Sequence, residues 1–146
     1  MTTVATRVIA RGLLAPTLVV AVAILVKGYA NVGDGFAAGV VAALGVLLQI
    51  LAFGREEVAA ALPIRHAPMV GLAGVALAFA VFAVPVLLGD APLQHSPAPG
   101  ASVTKIGSLE LITAVLFDVG VFLLVLGASV AIIDALITPG DPEPGT

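Results

Sequence analysis

The sequence predicts an all-α membrane protein with four spanning helices, and three observations carry that reading. Only 10% of its residues are charged and 60% are apolar, whereas a soluble domain carries roughly a quarter charged residues. Four separate stretches reach the ~20 mostly apolar residues needed to cross a bilayer. The polar residues left over collect between those stretches, in segments rich in Gly and Pro. A chain of 146 residues has room for four spans and short connections, so a single membrane domain over 1–146 is expected.

The first span is expected over about residues 8–26, with Arg11 near its start and Pro16 inside it. A signal peptide is the alternative for an apolar run preceded by arginines. Lys27 and a Gly-rich segment follow without a small-residue cleavage pattern, so a span is the expectation. The second span covers about 35–54 and the third about 67–89, with Pro85 near its far end. The fourth is expected over about 108–133, followed by a flexible tail over 134–146, where Pro and polar residues leave nothing to bury. None of the four shows an amphipathic period, as suits helices facing lipid or other membrane helices.

The connections set orientation. Lys27 to Asp34 reads as a tight turn, Arg55 to His66 as a short polar link, and Asp90 to Gly107, with Pro92, Pro97 and Pro99, as an irregular loop. Arg7, Arg11, Arg55 and Arg65 fall on one side of the bilayer, and Lys27 and Lys105 on the other. The positive-inside bias then places both termini in the cytoplasm.

Several function classes are excluded or disfavoured. The net charge of −3 is spread over connections and tail, which leaves no basic surface for nucleic acid. With no cysteine there is no disulfide framework and no thiol nucleophile. His66 and His95 lack companions at metal-ligand spacing, and no nucleophile elbow is present. An enzyme is therefore disfavoured, and no catalytic residue, metal or cofactor is expected. The partner that composition demands is the lipid bilayer.

Asp118 is the residue that stands out. In a helix over 108–133 it lies within a turn of the midpoint, near Gly120. A carboxylate at the bilayer centre costs about 2.5–3.5 kcal/mol on insertion scales, and such residues usually face a bundle interior or a wet cavity and have a partner. The neighbours on its helix face, including Leu111, Ala114, Val115, Phe122 and Val125, are apolar. Its partner is therefore expected on another polypeptide. Two roles stay open: a place in an ion or proton path, and a hydrogen bond that holds an interface. Glu110 is expected eight residues before Asp118 on the same helix, about 80° around the axis. It is the second candidate for an ion path, or an exposed partner of Lys105.

Small residues at Gly35, Gly39 and Ala43, with Gly71, Gly74, Gly120 and Gly127, permit close helix approach. That suits a component of a larger assembly.

The fourth span then resembles a specific family. Glu110 and Leu111 open a run that continues through Leu116, Phe117, Asp118, Gly120, Val121 and Phe122. It is similar to the Glu-Leu start and Leu-Phe-Asp-x-Gly-Val-aromatic core of the B subunit of multisubunit sodium/proton antiporters, the Mrp or Mnh complexes. The first connection is the second marker, where Gly28, Gly33, Gly35 and Phe36 keep part of the family's Gly-His-Asn-x-Pro-Gly-Gly-Gly-Phe pattern. Tyr29, Ala30, Val32 and Asp34 depart from it, which removes the family's histidine from that loop. The resemblance extends from Leu13 to Ile133.

The resemblance implies a small non-redox subunit of a hetero-oligomeric secondary transporter in the bacterial cell membrane, exchanging cytoplasmic Na+ for external H+ alongside other antiporter subunits. The alternatives are the equivalent subunit of an ion-pumping membrane-bound hydrogenase-type complex and a purely structural subunit. A small exporter acting alone is disfavoured by the absence of Trp and the single Tyr. On this reading Asp118, Glu110 and Thr113 belong to the ion path, with Thr113 as a supplementary oxygen ligand. Phe117, Gly120, Gly28, Gly33, Gly35 and Phe36 form the structural motif.

Overall fold

A computed structural model of the chain describes residues 3–27, 33–89, 105–106, 109–110 and 113–138. Among the described residues, four helices are long and apolar enough to cross a membrane. Helix α1 runs Val4–Lys27, α2 Asp34–Phe53, α4 Ala67–Leu87 and α5 Thr113–Ile137. A seven-residue helix, α3 (Arg55–Ala61), and a 3₁₀ turn (Ile64–His66) join α2 to α4.

The all-α, four-span fold is the one expected, with shifted ends. Helix α1 begins at Val4 and carries Arg7 and Arg11 within it, and Pro16 lies inside without ending it. Proline removes one backbone bond in the interior, a loss that membrane helices tolerate. Gly54, at φ 89°, turns the chain from α2 into α3 through a backbone conformation open to glycine but strained for other residues.

Helix α5 departs most from expectation. It starts at Thr113 instead of 108 and continues to Ile137, so residues 134–137, assigned to the tail, are helical. Residues 139–146 of that tail lie outside the described residues. Ahead of α5, Lys105–Ile106 (β1) pairs antiparallel with Leu109–Glu110 (β2), Lys105 opposite Glu110. This segment was expected partly as irregular loop and partly as helix.

The spanning helices form a row. Helix α1 packs on α2, α2 on α5 and α5 on α4, the last contact being the most extensive. What decides this order is the position of residues without side chains. A Cβ added at Gly127 would strike the backbone of Gly71 and the Ala67 carbonyl. One added at Gly74 would strike Leu124 and Gly120, and one at Gly120 would come within 2.9 Å of the Ala78 nitrogen. Helices α4 and α5 thus meet backbone to backbone. On the other side of α5, a Cβ at Gly39 would lie 2.8 Å from Val125 Cβ and 3.0 Å from the Phe122 carbonyl. Glycines expected to serve contacts within a larger assembly are therefore used within this chain.

Polar side chains fasten one end. Gln49, buried, donates from Nε2 to the Ala10 carbonyl at 2.6 Å, and Arg7 Nε donates to the Ala52 carbonyl at 3.3 Å. The guanidiniums of Arg7 and Arg11 lie over the Phe53 ring, 5.6 and 5.0 Å from its centre. Arg55 grips Asp134 of α5 through two bonds, Nε to Oδ1 at 2.6 Å and a terminal nitrogen to Oδ2 at 3.0 Å. Those hydrogen bonds hold the Arg55 guanidinium above its usual pKa, against the opposing effect of desolvation. Arg55 therefore stays charged, and the fork geometry fixes the α2–α3 corner against α5.

Gly127→Ala is expected to lower the unfolding free energy of the detergent-solubilised chain by about 1–3 kcal/mol, the cost of overpacking a close contact. Gly12→Ala, where a Cβ meets nothing within 4 Å, serves as the control. Equal effects of the two substitutions in thermal or denaturant unfolding would remove the packing argument.

Candidate functional site at the junction of α2 and α5

Asp118 is 4% exposed, covered by the start of α2. With the helix starting at Thr113, Asp118 lies in its second turn and not near its middle. Its level in the bundle is that of the first turn of α2. The expectation of a partner on another polypeptide is corrected here: Asp118 Oδ2 accepts a hydrogen bond from the Gly33 backbone N–H at 3.1 Å, across 85 positions of sequence.

Gly33 is the N-cap of α2, at φ 120°, and has no side-chain cap of its own. Helix N-termini expose unpaired N–H groups and carry partial positive charge. A carboxylate placed there is stabilised by both, the arrangement proteins use to hold anions. Asp118 thus supplies from α5 the acceptor that α2 lacks at its own start. Side-chain patterns do not point to this partner, because it is a backbone amide.

Gly35 makes the approach possible. A Cβ there would collide with the backbone carbonyl of Asp118, so only glycine lets the first turn of α2 lie on this turn of α5. Two residues along α5, Gly120 faces the opposite way and receives Ala78 and Gly74 of α4. The Asp-x-Gly spacing, about 200° around a helix, therefore points the carboxylate at α2 and the small residue at α4. Gly33, Gly35, Asp118 and Gly120 form one junction.

The other expected residues divide. Phe36 is 60% exposed on the outer face of α2 and Phe117 is half-buried, so neither closes the site. Thr113 opens α5 and is engaged in an interaction within the chain. It is about 140° around the helix axis from Asp118. Glu110 belongs to β2 and not to α5, so the helical spacing expected between it and Asp118 does not apply. Gly28 and His95 lie outside the described residues. Asp34, the first residue of α2, is a second carboxyl in the segment that caps on Asp118, a neighbour the sequence treated only as a departure. Among the described residues no group of three or more His, Cys, Asp or Glu side chains is arranged to hold a metal.

Comparison with known proteins covers most of the chain. A family described as a domain related to the MnhB subunit of Na+/H+ antiporter matches residues 5–131. A Rhizobium meliloti protein, named as a probable K(+)/H(+) antiporter A/B subunit, is 36% identical over 129 residues, 88% of this chain. The chain spans only 13% of that longer protein. The Na(+)/H(+) antiporter B subunit of Alkalihalophilus pseudofirmus is 31% identical over 106 residues, covering 73% of this chain and 72% of its own length. The protein of the same name in Bacillus subtilis is 29% identical over 113 residues, covering 77% and 78%.

The junction makes separable demands on its residues. Asp118→Ala is expected to speed hydrogen exchange in the peptide containing the Gly33 amide by about tenfold, equivalent to 1.4 kcal/mol. Asp118→Asn keeps an acceptor oxygen and should leave that protection near the parent value. Unchanged exchange in Asp118→Ala would mean that the Gly33–Asp118 bond does not hold the start of α2.

Proposed function

This chain belongs to the MnhB-related family of Na+/H+ antiporter subunits, and on that premise we propose that it is a small membrane subunit of a hetero-oligomeric antiporter exchanging cytoplasmic Na+ for external H+. The observation that carries the reading is the buried Asp118 carboxyl, bonded across from α5 to the start of α2, between the two segments that resemble the family's markers. A carboxylate is a hard oxygen ligand for Na+ and equally a proton acceptor. Occupancy by one therefore excludes the other, which is the elementary requirement of exchange. The Gly33 N–H holds one oxygen in place, leaving the group oriented when its load changes.

On this reading the site lies near the external face. Arg7, Arg11, Arg55 and Arg65 gather at the opposite end of the bundle, which the positive-inside bias assigns to the cytoplasm. Glu110 and Thr113 precede Asp118 at the same end and stand as further members of the ion path. Hard cations require several oxygens, so water, backbone carbonyls and neighbouring antiporter subunits complete the set. Relatives named for K+ and for Na+ make the cation an experimental variable. The relative named for A and B together supports an A-type protein as a neighbour of this one.

A structural role is the second reading, favoured by the same Gly33 bond: Asp118 then fastens the start of α2 and meets no ion. The conservative variant separates the two, because Asn preserves the acceptor and removes the charge. Asp118→Asn is expected to reduce Na+-dependent proton movement in everted vesicles by about tenfold or more, the equivalent of 1.4 kcal/mol, with normal amounts of assembled complex. Parent-level exchange with both Na+ and K+ in that variant would leave only the structural role. Glu110→Gln is expected to have a smaller effect in the same assay.

A further inference from the structure

A second feature lies away from Asp118, at the arginine end. Between α1 and the α3–α4 connection lie two adjoining cavities of about 220 and 190 Å³, which share Leu14 and Leu62 as a common wall. The larger is lined by apolar groups alone, among them Leu18, Val70, Leu126 and Val130. The smaller carries Arg11 and Glu57. Leu14 and Leu18 follow Arg11 at one and two turns along α1, so the cleft descends from a charged mouth into an apolar interior. Gln49, buried, also lines the smaller cavity and is occupied by the Ala10 carbonyl.

We propose that this cleft is a binding site for an aminophospholipid of the phosphatidylethanolamine type. One acyl chain lies against Leu14, Leu18 and Leu126, and the headgroup lies across Arg11 and Glu57. Complementarity of charge at the mouth of an apolar cleft carries this assignment. Arg11 and Glu57 stand side by side, 3.4 Å apart, with 75% and 50% of their side chains exposed. A guanidinium is suited to a phosphate, and the neighbouring carboxylate accepts hydrogen bonds from a primary ammonium. Phosphatidylcholine offers a quaternary ammonium with no N–H to give, and phosphatidylglycerol brings only the negative charge, which Glu57 opposes. The Phe53 ring, 5.0 Å from the Arg11 guanidinium, holds that cation over the mouth. The lipid site requires the membrane location and is independent of the ion-path reading of Asp118.

The test uses the full chain in its native assembly, extracted in mild detergent and washed with mixed micelles holding equal phosphatidylethanolamine, phosphatidylcholine and phosphatidylglycerol. Retained lipid is counted by native mass spectrometry. About tenfold preference for phosphatidylethanolamine over phosphatidylcholine is expected, corresponding to 1.4 kcal/mol. Glu57→Gln should abolish the discrimination, and Arg11→Gln should lower retention of all phospholipids. Val70→Trp, which fills the apolar part, should lose the lipid with the assembly intact. Should that variant fail to fold, the two exposed-residue variants still decide. Equal retention of the three lipids, or unchanged preference in Glu57→Gln, overturns the proposal. Loss of a neighbouring protein from Val70→Trp, with lipid retention unaltered, assigns the cleft to a protein partner and overturns it equally.

Discussion

The close approach of α5 to both of its neighbours is the constraint on which the other features rest. In lipid there is no hydrophobic force to press apolar helices together, so their association depends on packing. Here that packing is made by omission. Gly35 and Gly39 open α2 to one side of α5, while Gly71 and Gly74 open α4 to the Gly120 and Gly127 side. Because α5 is in backbone contact on two sides, its rotation about its own axis is fixed. The direction in which Asp118 points is fixed with it.

That rotation turns a costly group into a useful one. A carboxylate projecting from α5 into lipid would bear the full desolvation of a charge. Facing α2 at the level of its first turn, it meets a free amide and the positive end of a helix. Interhelical hydrogen bonds within membranes contribute about 0.6–2 kcal/mol, which offsets part of the insertion cost. The position of Asp118 in the second turn of α5, not the middle, lessens that cost further, since the penalty falls towards the interface.

Much of this was legible in the residues. Apolar length alone located the four spans, because a bilayer imposes its thickness on any helix that crosses it. Asp118, Gly35 and Gly120 stood out for their residue types, and the junction they form explains why. What the residues did not disclose was relational. The start of α5 was misplaced by five residues because Leu109, Leu111 and Ile112 are as apolar as the helix that follows. That error moved Asp118 to mid-membrane and put Glu110 on a helix it does not join. The bond to Gly33 was invisible because a backbone amide has no signature in a sequence. The small-residue spacings said that helices would touch closely, but not that the partner helices were in the same chain.

The two ends of the row are fastened by different means. At the arginine end, long side chains reach across helices through the forked Arg55–Asp134 pair, the Gln49 bond to Ala10 and the Arg7 bond to Ala52. At the Asp118 end, the link between α2 and α5 is a short side chain on a main-chain amide, over a glycine contact with no slack. Of the arginine-end links only the Arg55–Asp134 pair reaches α5, so α2 and α5 are held at one end by a charged fork and at the other by a single hydrogen bond to a backbone amide. Loss of the Asp118 bond would therefore free the start of α2 from α5 while the arginine end stayed joined.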